Sequence, residues 1–149
     1  YFALTCGIVL RHGGMIDKLV GDSIHALFNA PLDQPGHEAA ALACAADLIA
    51  ATEQFRQQND GFGRTRIGVE SGPAVLGDVG FGTRIDYTAH GPAVNLAARL
   101  QEANKIFGSQ ICIGPALAAR MAGKAPALSP LGEAEIRSFG RLSLFTLRA

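Results

Sequence analysis

Glycine is the feature of this sequence that most constrains its fold. The chain has 18 glycines among 149 residues, about 12%, against a usual share of about 7%. Glycine weakens regular helices and strands, but it accepts backbone conformations and close contacts that other residues avoid. The fold must therefore contain many tight turns or places where one backbone closely approaches another.

The hydrophobic pattern between these glycines predicts helices that alternate with short strands. Apolar residues at helical spacing predict helices over residues 1–10, 37–59, 92–107 and 115–122. Apolar runs bounded by glycine or proline predict strands over residues 15–19, 23–28, 66–71, 74–79, 85–89, 110–113, 128–136 and 142–147. Most strands come in adjacent pairs, with helices between the pairs. The pattern predicts an α+β sandwich with an antiparallel-rich sheet and helices packed on one side.

Length and composition predict one globular domain over residues 1–149 and disfavour several function classes. The 13 Lys and Arg balance 13 Asp and Glu, which argues against a nucleic-acid binder or a polybasic membrane-surface protein. No apolar run reaches about 18 residues, so the sequence predicts no transmembrane helix. Cys6, Cys44 and Cys112 are far apart in the chain, and we expect buried thiols in a reducing compartment.

A first cluster of unusual residues lies in the predicted hairpin 15–28, where Gly21 and Asp22 form the turn. A carboxylate at such a tip projects clear of the sheet, and Mg²⁺ takes carboxylate and phosphate oxygens together. Gly-Asp is also ordinary turn chemistry, and Lys18 on the preceding strand can be an ordinary solvated residue. Taken alone, this stretch favours the ordinary turn.

A second cluster, over residues 66–80, carries glycines in and beside predicted strands. Because glycine normally weakens a strand, its presence there indicates either a close approach of another backbone or a bulged hairpin. The sequence leaves both alternatives open.

A third cluster spans the predicted strand and helix over residues 85–107. Asn95 and Arg99 are four residues apart, so they share one face of a helix. An amide and a guanidinium on one face can hold a polyphosphate, because the arginine fork matches phosphate oxygens. The alternative is an amphipathic helix with a solvated Arg99. Apolar residues surround the pair, and polar groups in such a stretch need partners, which favours a functional role.

The three clusters together resemble the catalytic domain of class III nucleotide cyclases, most closely the bacterial adenylate cyclases. The resemblance lies in HGGMIDKLVGD over residues 12–22, RIGVESGPAVLG over 66–77 and RIDYTAHGPAVNLAARL over 84–100. The tail LGEAEIRSFGRL over residues 131–142 resembles the last hairpin of the family. The likeness covers essentially the whole chain. It implies a ferredoxin-like α+β domain that works as a homodimer, with each active site between two chains.

The resemblance also implies a role for residues in each cluster. Asp22 matches a ligand of two Mg²⁺ or Mn²⁺ ions per site, and Lys18 and Thr88 match the pair that reads the purine. Asn95 and Arg99 match the pair that steadies the ribose and the reacting phosphate. In addition, Arg137 lies near the position where the family often has a phosphate-binding lysine.

Hydrogen-bond chemistry at the purine predicts ATP rather than GTP as the substrate. Adenine offers an acceptor at N1 and a donor at its 6-amino group, which suit an ammonium and a threonine hydroxyl. Guanine carries a hydrogen on N1, so Lys18 would leave two donors opposed, at a cost of about 1–3 kcal/mol. That cost corresponds to a preference for ATP of roughly 10–100-fold.

The implied activity is that of an adenylate cyclase, a phosphorus–oxygen lyase of intracellular signal transduction. It converts ATP to 3′,5′-cyclic AMP and pyrophosphate by attack of the ribose 3′-oxygen on the α-phosphorus. One alternative is a non-catalytic module that dimerises and binds nucleotide to regulate an attached domain, although such modules tend to lose some of these site residues. Another is a ferredoxin-like RNA-binding sheet, which zero net charge and few aromatic residues disfavour.

The sequence departs from the family pattern at its start. The family's first metal-binding aspartate lies on a strand upstream of the opening helix, and no such strand precedes Tyr1 here. We therefore interpret the sequence as an N-terminally truncated cyclase domain, with a sheet edge left open. We expect a longer protein with a covalently attached regulatory domain and a cytoplasmic catalytic domain, with membrane anchoring elsewhere left open. Smaller departures are Pro92 and the Arg137-Ser138 pair.

Overall fold

A computed structural model describes the backbone of residues 1–78 and 87–148 and the side chains of residues 1–77 and 89–148. The helices in these residues are α1 (Phe2–Arg11), α2 (His37–Gln58), α3 (Pro92–Phe107) and α4 (Pro115–Arg120). The strands are β1 (Met15–Val20), β2 (Ser23–Leu27), β3 (Ile67–Val69), β4 (Val75–Asp78), β5 (Tyr87–His90), β6 (Ile111–Ile113), β7 (Leu128–Ile136) and β8 (Gly140–Leu147). Each predicted element is present, with described ends that agree to within two residues.

The described strands form three sheets. A four-stranded sheet has the order β3–β6–β8–β7, in which β3 and β6 are parallel and the other pairs are antiparallel. Two antiparallel ribbons accompany it, β1 with β2 and β4 with β5. Among the described residues of 66–78, β3 and β4 do not form the bulged hairpin considered for 66–80, because β3 pairs with β6 while β4 pairs with β5. Within the described residues β3 is an edge strand of its sheet.

Helices cover both faces of the four-stranded sheet, where the sequence predicts helices on one side. The side chains of β6 point alternately to the two faces of the sheet. Cys112 lies in a core cluster with Leu100 of α3. Ile111 and Ile113 lie in a second cluster with Leu42 of α2. A strand with large apolar side chains on both faces must be covered on both. The α+β class and the antiparallel-rich sheet are as predicted.

Helix α3 lies directly on strand β3, and this contact explains one of the glycines in the second cluster. A Cβ atom on Gly68 would overlap the carbonyl oxygen of Ala97 and the backbone nitrogen of Gln101. The fully buried Asn104 side chain reinforces the contact, since its Nδ2 donates to the carbonyl oxygen of Ile67 at 3.0 Å. The close backbone approach predicted from the glycines is confirmed at this position, and it anchors the helix that carries Asn95 and Arg99.

The β1–β2 ribbon packs separately against α1 and α2. Ile8 and Val9 of α1 and Cys44 of α2 are buried there, with Ile16 and Phe28 packed against them. The ribbon is buried only near its base, because residues 18–23 are exposed. Its tip therefore projects beyond the body of the domain.

The three cysteines are free thiols. Cys44 and Cys112 are buried as predicted, whereas Cys6 is only partly buried. Burial raises the pKa of both buried thiols to about 11, so they stay protonated at neutral pH. Among the described residues, no helix is both long and apolar enough to cross a membrane.

Candidate functional site

The tip of the β1–β2 hairpin carries Asp22. Val20 pairs with Ser23, so the turn consists of Gly21 and Asp22, and Gly21 has a φ of 59° that glycine adopts at little cost. Asp22 is exposed at the tip, as the sequence predicts. Its carboxylate is open to a ligand that approaches from outside the chain.

Asp22 fits a cation site in which the protein is only one of several ligands. No three of the described His, Cys, Asp and Glu side chains lie close enough together to hold a metal ion. Mg²⁺ is commonly held by one or two carboxylates together with substrate phosphates and water, rather than by an all-protein cage. An exposed carboxylate at a turn suits that arrangement.

Strand β1 contains a bulge immediately before Lys18. Ile16 pairs with Ala26 and Lys18 with His25, so Asp17 is the extra residue of the bulge. The Lys18 side chain is 42% exposed, whereas that of Asp17 is 1% exposed. A bulge re-aims side chains locally, and here it separates an outward lysine from an inward carboxylate.

Strand β5 carries Thr88 next to this bulge. Thr88 pairs with Gly77 of β4, and the following residue, Ala89, is buried. The backbone N–H of Ala89 donates to Oδ1 of Asp17 at 3.3 Å. The strands that carry Lys18 and Thr88 are therefore brought together, whereas the Thr88 side chain lies outside the described residues.

Asn95 and Arg99 share the outer face of α3. Both residues are exposed, while Leu96 and Leu100 are buried against the sheet. The shared face is as predicted. The apolar neighbours do not enclose the pair, because the helical repeat turns Leu96 and Leu100 inward and leaves Asn95 and Arg99 exposed.

Arg137 is exposed at the end of β7. The residue before it, Ile136, belongs to the same core cluster as Leu96 of α3. Among the described side chains, no hydrogen bond or ion pair joins Asp22, Asn95, Arg99 or Arg137 to one another. A single chain thus presents these four groups on its surface, without direct bonds among them.

Asp17 is the residue at this site that sequence reasoning missed. An aspartate next to a lysine on a short strand looks solvent-exposed, and no spacing rule marks a bulge. The only available signal is its position directly before Lys18 in the predicted hairpin 15–28.

The adenylate and guanylate cyclase catalytic domain family has a model that matches residues 11–149. The chain is similar to adenylate cyclase 1 of Rhizobium meliloti, with 36% identity over 141 residues that cover 92% of this chain and 21% of that protein. It is also similar to an adenylate cyclase of Anabaena cylindrica, with 36% identity over 116 residues that cover 76% of this chain and 23% of that protein. The chain thus spans about a fifth of the length of these relatives.

Solved structures show the same fold. The adenylyl cyclase CyaB of P. aeruginosa matches with a TM-score of 0.87 and 27% identity, over 100% of this chain and 79% of that one. The guanylate cyclase domain of RhGC from Catenaria anguillulae, solved with GTP, matches with a TM-score of 0.84 and 25% identity, over 99% and 79%. Sequence, fold and the order of the site elements lead to one assignment: the chain belongs to the adenylate and guanylate cyclase catalytic domain family.

Proposed function

We propose that this domain is an adenylate cyclase that converts ATP to 3′,5′-cyclic AMP and pyrophosphate. Family membership does not decide between ATP and GTP as the substrate, since the similar proteins include a guanylate cyclase domain solved with GTP. The observation that carries the proposal is Lys18, which a bulge presents outward beside the strand of Thr88.

An ammonium at this position selects adenine by hydrogen-bond polarity. Lys18 can only donate, so it matches the N1 acceptor of adenine and opposes the N1–H of guanine. The Thr88 hydroxyl can accept from the 6-amino group of adenine. Two of the similar curated proteins are named adenylate cyclases, which supports the same choice.

The reaction is an in-line displacement at the α-phosphorus. A bond forms between the ribose 3′-oxygen and the α-phosphorus, the bond to the pyrophosphate oxygen breaks, and the 3′-hydroxyl proton passes to solvent or a substrate phosphate. Arg99 stabilises charge on the α-phosphate, an electrostatic contribution of a few kcal/mol. Asn95 orients the ribose from the same helix face, and Arg137 contacts the outer phosphates.

Members of this family generally use divalent cations, and Asp22 is the residue of this chain that would hold them. Two Mg²⁺ or Mn²⁺ ions, when bound, supply positive charge at the 3′-oxygen and at the departing pyrophosphate. The exposed position of Asp22 leaves room beside its carboxylate for substrate phosphates.

The complete site forms between two copies of the chain, with Asp22 from one and Lys18, Thr88, Asn95 and Arg99 from the other. Support comes from the exposed positions of Asp22, Asn95 and Arg99 and from the apolar residues near the hairpin tip. Exposed apolar patches commonly mark interfaces. The residues of this kind on β1 and β4 are Leu19, Val20 and Val75, exposed by 52%, 54% and 70%.

The chain spans only about a fifth of the length of these relatives. That share supports a longer protein with an attached regulatory domain. The buried, protonated thiols suit a cytoplasmic location, where ATP is available.

The test is substrate choice in the full-length protein. With Mn²⁺ we expect cyclic AMP from ATP and little cyclic GMP from GTP. Lys18→Glu should lower kcat/KM for ATP by roughly 10–100-fold, because a carboxylate opposes the N1 acceptor of adenine. Asp33→Ala, which changes an exposed loop aspartate, is the matched control. Unchanged ATP kinetics in Lys18→Glu would reject the purine assignment, and nucleotide binding without product would favour a regulatory module.

A further inference from the structure

We propose that Asp17 is a positioning residue that sets Lys18 and Thr88 at the correct separation for adenine. The inference deepens the proposed function and rests on it, because it concerns how that purine site is built. It assigns a role to a residue outside the set proposed to contact the purine and the phosphates.

Asp17 is the extra residue of the bulge in β1, between Ile16 and Lys18, which pair with Ala26 and His25. Its side chain is 1% exposed, and burial of a polar side chain is unfavourable unless hydrogen bonds satisfy it. An aspartate at this position therefore needs a structural or functional reason.

The hydrogen bond of Asp17 supplies that reason. Its Oδ1 accepts from the backbone N–H of Ala89, the residue that directly follows Thr88. Within the residues that the structure describes, the β1–β2 and β4–β5 ribbons are separate sheets and no backbone ladder joins them. The Asp17 side chain therefore connects the strand of Lys18 to the strand of Thr88. The two bonded residues, Asp17 and Ala89, are each adjacent to one of the residues proposed to read the purine.

The second carboxylate oxygen faces Lys18 itself. Asp17 Oδ2 lies 3.8 Å from Lys18 Nζ, so attraction to the carboxylate also helps to orient the lysine side chain. Asparagine separates the two effects, since it keeps an oxygen acceptor for Ala89 but removes the charge.

The experiment compares Asp17→Ala, Asp17→Asn and the control Asp33→Ala in the full-length protein. Dissociation constants are measured with Mn²⁺ for 3′-deoxy-ATP and 3′-deoxy-GTP, which lack the attacking hydroxyl. We expect Asp17→Ala to lower the preference for 3′-deoxy-ATP by about tenfold, the effect of one hydrogen bond. Asp17→Asn should keep the preference within about threefold of wild type, because the acceptor remains.

Kinetics with ATP separate positioning from general damage. Asp17→Ala should raise KM for ATP while kcat at saturation stays nearly unchanged, and a melting curve reports the folded fraction. A lower melting temperature with an unchanged preference for adenine would overturn the inference and leave Asp17 a merely structural residue. If Asp17→Ala does not fold, Asp17→Ser, which is shorter but still polar, provides the same comparison.

Different results would refute the proposed catalytic function and the positioning role of Asp17. A wild-type protein that prefers 3′-deoxy-ATP but makes no cyclic AMP would refute the catalytic function, while the binding preference of the Asp17 variants still decides this inference. Cyclic AMP formation together with a wild-type preference in Asp17→Ala would refute this inference alone.

Discussion

Two inactive variants of this protein should restore activity to each other when they are mixed. Asp22→Ala removes the proposed cation ligand and Asn95→Ala removes the proposed ribose contact, and we propose that the two residues of each site come from different chains. In a mixed dimer one site carries both substitutions, whereas the other combines the intact Asp22 of one chain with the intact Asn95 of its partner.

The expected magnitude follows from pairing statistics. Equal amounts of the two variants give mixed dimers in half of all pairs, and each mixed dimer has one intact site of two. Recovery should therefore reach about one quarter of the wild-type activity per chain in a symmetric homodimer. Both positions are exposed, so each substitution should change stability by no more than about 0.5 kcal/mol and should leave dimer formation intact.

The assay is cyclic AMP formation from ATP and Mn²⁺ by the full-length variants, alone and after co-expression. Each variant alone should be nearly inactive, and cyclic AMP formation should return only when the two variants are combined. A mixture no more active than the sum of its parts, with mixed dimers demonstrated by differently tagged chains, would show that Asp22 and Asn95 do not meet across an interface.

Two further predictions concern the scaffold. Gly68→Ala should destabilise the fold by about 1–3 kcal/mol, because the added methyl group overlaps backbone atoms of α3. Denaturant unfolding measures this loss, and Gly7→Ala, where the added methyl group meets no neighbouring atoms, is the control. Equal stability of the two variants would contradict the packing of α3 on β3. Stability should also fall as the pH rises above about 9, because the buried thiols of Cys44 and Cys112 have a pKa of about 11 in the folded state and the unfolded chain releases those protons first. Unfolding at a series of pH values tests the second prediction, and a double Cys44→Ala, Cys112→Ala variant should lose that part of the pH dependence.

Local signals in the sequence account for the elements that were predicted well. Gly21 and Asp22 mark the turn of the hairpin, and Pro92 and Gly108 mark the two ends of α3. Each of these residues acts on its own backbone or on that of close neighbours, so a short window of sequence contains the information.

Strand pairing shows where local reasoning fails. Strands β3 and β4 are neighbours in the chain, yet β3 pairs with β6, more than 40 residues later. The choice depends on which apolar faces can be covered by helices, and covering both faces of β6 requires α3 on one side and α2 with α4 on the other. The hydrophobic pattern within one strand does not specify which other strand will pair with it.

The residue types in the sequence, in their order, determined the chemistry that this chain offers: a carboxylate at a turn, a lysine on a strand, and an amide and a guanidinium one helical turn apart. Only the tertiary structure decided that a bulge buries Asp17 and ties the strand of Lys18 to that of Thr88. The physical reason is that a side chain's chemistry is set by its covalent structure, whereas its burial and its partners depend on chain segments far away in the sequence.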